Sequence, residues 1–139
     1  MVAKYTLDAH LSQLNNFIKE LDELKKKIDK KIFFSDKMIQ AFVERRLQLT
    51  IEAMLTIGEM IIAQKGSRKP VDNNDIFDIL AEMGVYPKTF AQKLWGAGGF
   101  RNILVHNYID LDLEKVYYHL INSLPIFKKY AQYAARWNI

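Results

Sequence analysis

Residues 7–28 read LDAHLSQLNNFIKELDELKKKI, and their spacing decides the fold class. Leu7, Leu11, Leu14, Ile18, Leu21, Leu24 and Ile28 recur at steps of three and four, which gathers them into one stripe on a helix. A stripe of that length must be buried against other helices. The pattern predicts a first helix over about residues 5–31. Ser35 is the expected N-cap of a second, longer helix. Behind it, Ile39, Phe42, Val43, Leu47, Ile51, Met54, Leu55, Ile61 and Ile62 repeat the same periodicity up to Lys65 and Gly66.

Outward from these two helices, Gly66 to Asn74 is the only polar, turn-rich interruption of any length, and it reads as a loop within one domain of residues 1–139. A short helix is expected over about 73–83, with Gly84 closing it. Pro87 fits the first turn of the next helix, which is expected to cross Gly96, Gly98 and Gly99 with a bend and to continue to Tyr108. The last helix should begin after Asp110 or Asp112 and kink at Pro125, where one backbone donor is missing. No segment alternates with a strand period. The expectation is therefore an all-α, antiparallel four-helix bundle with one additional short helix.

The chain has 139 residues, half of them apolar, no cysteine, three histidines and a formal charge of +4. Disulfides and thiolate metal sites are excluded, and three scattered histidines argue against a zinc site, so neither metal nor cofactor is expected. No apolar run of membrane length or secretory type is present, which points to a cytoplasmic protein without a membrane. The basic balance is compatible with RNA, but many proteins that bind no nucleic acid share it. The densest basic cluster, Lys25, Lys26, Lys27, Lys30 and Lys31, reads first as a solvated helix end that offsets the dipole.

The residues that carry chemistry are Arg101-Asn102-Ile103-Leu104-Val105-His106-Asn107-Tyr108. Arginine presents a permanent planar fork suited to phosphate, and histidine exchanges a proton near neutral pH, a pairing suited to cutting a phosphodiester. On a helix Asn102 and His106 share a face, whereas Arg101 and His106 lie about 140° apart, so the set lines a groove edge. One copy supplies one imidazole, while cleavage of RNA through its own 2′-hydroxyl benefits from a base and an acid. A symmetric homodimer would bring two copies of the motif to one cleft. The bland alternative is a surface or capping histidine and a packing tyrosine. His10 and His119 have no comparable setting and read as structural. Glu44, Arg45, Arg46 and Glu52 interrupt the second stripe; Arg45 and Arg46 are possible phosphate contacts, with surface ion pairing as the simpler reading.

Gly99 to Tyr108, together with Glu44 to Ala53, the segment 81–87 and the start of the last helix at Asp112 to Val116, resembles the HEPN superfamily and within it the HepT toxins. The resemblance covers nearly the whole chain. It implies a homodimeric, metal-independent endoribonuclease with Arg101 and His106 catalytic and Asn102 supporting them. It also implies a minimal nucleotidyltransferase (MNT) antitoxin that transfers AMP onto Tyr108. The alternative function is a non-catalytic subunit that binds a nucleotide or presents a substrate to a nucleotidyltransferase.

Overall fold

The structure, a computed structural model, describes residues 2–106 and 111–137. Among the described residues the chain forms eight helices: α1 (Val2–Lys27), α2 (Lys30–Ser35), α3 (Lys37–Lys65), α4 (Asn73–Glu82), α5 (Lys88–Leu94), α6 (Ala97–His106), α7 (Leu113–Asn122) and α8 (Leu124–Arg136). The expected all-α bundle is present. The 29-residue α3 is its central rod, packed against α1, α4, α6, α7 and α8. Leu14, Leu21, Leu47, Ile51, Met54 and Phe77 lie at its centre with essentially no solvent contact. None of the helices is long and apolar enough to cross a membrane.

Three of the expected boundaries are corrected. The first helix stops at Lys27, and Asp29 caps a separate short helix by accepting the amide of Ile32 at 2.8 Å. That turn buries Phe33 and sets Phe34 against Tyr117 of α7, so the apolar run 32–34 finds a partner that a straight continuation would not give it. Consequently Ser35 ends α2 instead of starting α3, and Asp36 caps α3 through the amides of Met38 and Ile39. A carboxylate is the stronger choice there, because it also meets the positive end of the helix dipole.

The second correction concerns the glycines. The helix expected to cross them is broken into α5 and α6 at Trp95 and Gly96, and Gly96 takes φ +96°, a left-handed conformation that only glycine adopts without strain. Gly98 and Gly99 then lie inside α6. The third lies at Pro125, where the expected kink is a full interruption between α7 and α8 at Ser123. The proline nitrogen cannot donate to the carbonyl of Ile121 four residues back. Lys25 donates its Nζ to that carbonyl at 3.0 Å, so one member of the lysine cluster satisfies a helix end on another element. Lys26 pairs with Asp22, and Lys30 with Glu114.

Close helix approach is set by Gly58 on α3. A Cβ there would lie 2.5 Å from Ile76 Cγ2 and 3.1 Å from the Tyr130 hydroxyl, which donates to the carbonyl of Met54 at 2.7 Å. Burial pushes the Tyr130 phenol up, so it stays protonated and remains a donor. Gly58→Ala adds about 1 kcal/mol of helix propensity, but overpacking costs about 1–3 kcal/mol. The expected net result is a lower melting temperature. An unchanged or higher one would show that α4 can move away without loss.

Candidate active site on helix α6

Helix α6 is placed by two contacts. Near its start, Gly98 approaches Asn73 at the head of α4 so closely that a Cβ would meet Asn73 Cβ at 2.6 Å. One turn on, Arg101 reaches Glu52 of α3. Asn73 lines a cleft together with Glu59, Ile62 and Ala63 in the C-terminal half of α3, so α6 runs antiparallel to α3. Phe100 and Leu104 are the buried face of α6, and Phe100 stacks on the His119 imidazole of α7 at 4.1 Å and 22°. Arg101 is half-buried, while Asn102 and His106 are exposed.

Arg101 is held in a defined orientation. Its Nε donates to Glu52 Oε1 at 3.2 Å, its Nη2 lies 3.1 Å from the same oxygen, and its Nη1 donates to Asn102 Oδ1 at 3.2 Å. Gln48, one turn back on α3, donates its Nε2 to that Glu52 oxygen at 3.0 Å. Both charged side chains are about a third exposed, at 30% and 31%. A pair so exposed is worth only about 0–1 kcal/mol of stability. Its main consequence is geometric: the inner edge of the guanidinium faces α3, and further N–H groups on Nη1 and Nη2 point elsewhere. Asn102, expected to support the site, accepts from Arg101.

His106 is the last residue of α6, exposed at the C-terminal end of that helix. Tyr108 lies outside the described residues. His119 is embedded: its Nδ1 lies 2.7 Å from Ser123 Oγ, and burial, with Lys115 nearby, lowers its pKa from the ordinary histidine value. It therefore backs α6 as a neutral ring. His10 lies half-buried on α1.

The two candidate phosphate contacts on α3 separate. Arg46 is bound to Glu20 Oε2 through Nε at 3.2 Å and Nη2 at 3.1 Å, with its guanidinium 5.0 Å from the Phe42 ring and 5.7 Å from the Phe17 ring. It ties α3 to α1. Arg45 is exposed, and it lies seven residues from Glu52, which returns it to the Glu52 side of the helix. Glu44 is half-buried, and burial alone raises its carboxyl above the usual carboxylate range. Glu44, Gln48 and Glu52 follow one another at four-residue steps, forming a polar row along α3. No group of three or more His, Cys, Asp or Glu side chains positioned to hold a metal ion is present among the described residues.

The Ribonuclease HepT-like family model matches residues 14–134, and the chain belongs to that family. It is 30% identical over 114 residues to the tRNA nuclease HepT of Aphanizomenon flos-aquae, covering 81% of this chain and 78% of that protein. The mRNA nuclease HepT of Shewanella oneidensis is 30% identical over 98 residues, 70% of this chain and 74% of that one. The solved structure of a tri-AMPylated Shewanella oneidensis HEPN toxin in complex with MNT antitoxin superposes with a TM-score of 0.82 at 25% identity, covering 93% of this chain and 96% of that one.

Proposed function

We propose that this chain is the ribonuclease toxin of a toxin–antitoxin pair, cutting RNA without a metal at a site built from Arg101 and His106 of two copies. The observation that carries the reading is the oriented Arg101 and the exposed His106 carried on one short helix, in a chain of a ribonuclease family. One His106 takes the proton of the ribose 2′-hydroxyl as that oxygen attacks phosphorus. The bond from phosphorus to the 5′-oxygen breaks, and the His106 of the second copy protonates the leaving oxygen. The products are a 2′,3′-cyclic phosphate and a 5′-hydroxyl. Arg101 holds the phosphate and offsets the charge that grows on it.

The partner is an MNT-type antitoxin that transfers AMP from ATP to the Tyr108 phenol, releasing pyrophosphate. An adduct two residues beyond His106 adds bulk and negative charge next to the cations of the site, which blocks RNA. Support comes from the AMPylated toxin with its MNT antitoxin among the similar structures. The cytoplasm is where both RNA and ATP are met.

The test is expression of the chain alone and with its antitoxin, followed by peptide mapping of the purified protein. Growth arrest alone, relief by the antitoxin and AMP on Tyr108 are the expected results. Tyr108→Phe should still arrest growth and escape relief by AMP transfer. A harmless chain, or a Tyr108→Phe variant neutralised as well as the wild type, would contradict the toxin or the acceptor role, respectively.

A further inference from the structure

We infer that Glu52 is a positioning residue for the cleavage reaction, holding the Arg101 fork in the orientation that meets the transition state, with Gln48 fixing Glu52 in turn. The inference rests on the ribonuclease reading above. Glu52 Oε1 receives Arg101 Nε at 3.2 Å and Nη2 at 3.1 Å, together with Gln48 Nε2 at 3.0 Å. An arginine side chain has several rotatable bonds. Bonding along the Nε–Nη2 edge leaves it few orientations, and the third contact does the same for the carboxylate. The remaining Nη N–H groups are thereby aimed away from α3. Because α3 is the central rod against which the other helices pack, the arginine takes its bearing from the middle of the fold, while His106 at the end of α6 takes its own from the short helix.

The carboxylate has a second electrostatic consequence. Its negative charge beside Arg101 weakens the attraction of that arginine for a ground-state phosphodiester. Removing it should strengthen ground-state binding while loosening the geometry needed at the transition state. This separates a positioning role from a structural one. A merely structural Glu52 would move the melting temperature and leave the kinetics of the folded protein alone.

The test is steady-state cleavage of a short single-stranded RNA by wild type, Glu52→Gln, Glu52→Asp, Arg101→Lys and the double variant Glu52→Gln/Arg101→Lys, with melting temperatures for each. For Glu52→Gln we expect kcat to fall about ten- to a hundredfold, as for a misplaced catalytic group, with KM equal to or below the wild-type value and the melting temperature close to it. Glu52→Asp should recover part of the loss. In the Arg101→Lys background, Glu52→Gln should add little, because both changes act through one fork. Wild-type kcat in Glu52→Gln, or a loss that multiplies in full with that of Arg101→Lys, would overturn the inference. If Arg101→Ala and His106→Ala also cleave normally, the ribonuclease site itself is wrong; if they are inactive and Glu52→Gln is normal, only the positioning role fails.

Discussion

His106→Ala is expected to lower RNA cleavage by about 10²–10⁴-fold, the usual contribution of general acid–base catalysis. His106 is exposed at the end of α6 and contributes nothing to the core, so the folded state should survive the change. Arg101→Ala is expected to lose about 10²–10³-fold, the scale of one charge-stabilising donor aimed at the reacting group. It also frees Glu52, leaving an uncompensated carboxylate facing the substrate phosphate, so its loss should exceed that of Arg101→Lys. Rates measured with protein whose circular dichroism and melting temperature match the wild type would check both values. Normal cleavage by either folded variant would remove that residue from the chemistry.

The largest effect on stability is expected from Phe77→Ala. Phe77 on α4 is fully buried and packs edge-to-face with the Tyr130 ring at a centroid distance of 5.7 Å, while its carbonyl accepts the Tyr86 hydroxyl at 2.8 Å. Truncation leaves a cavity between α4, α3 and α8, and such changes cost about 3–5 kcal/mol. That is a large share of the roughly 5–15 kcal/mol that holds a domain together. Because Asn73 at the head of α4 abuts Gly98 of α6, loosening α4 should also bring cleavage down as temperature rises. Denaturant unfolding should show a lower midpoint with an unchanged slope. A loss below about 1 kcal/mol would contradict the core position of Phe77.

The parts of this fold legible in the sequence are those decided by local repetition. The stripes from Leu7 and from Ile39 fixed α1 and α3, Gly66 ends α3 with φ +68° as its position suggested, and Asp112 caps α7 by accepting the amide of Glu114. Choices between adjacent candidates were less legible: Ser35 and Asp36 are both good caps, and only the burial of Phe33 against α7 decides for Asp36. Gly96 could have bent a helix or ended one. Its positive φ ends it, and nothing within a few residues announces that.

What the sequence could not display were contacts between distant positions. Lys25 reaches Ile121 across 96 residues, and Glu52 meets Arg101 across 49. The hint was present in each case: a proline that orphans a carbonyl, and a charged residue inside an apolar helix that must pair or face a polar groove. The identity of the partner was not. The same helix carried Arg45 and Arg46 as equal candidates. A one-residue step of about 100° around α3 turns Arg46 towards Glu20 and two rings, and leaves Arg45 on the Glu52 side.

The most direct measurement is cleavage of purified total RNA by the unmodified protein in excess EDTA, beside His106→Ala, with the chemistry of the new 3′ ends determined. Products ending in 2′,3′-cyclic phosphate from the wild type, and their loss in the variant, are the predicted result. Cleavage that stops on chelation, or equal cleavage by both proteins, would contradict a metal-free ribonuclease that works through His106.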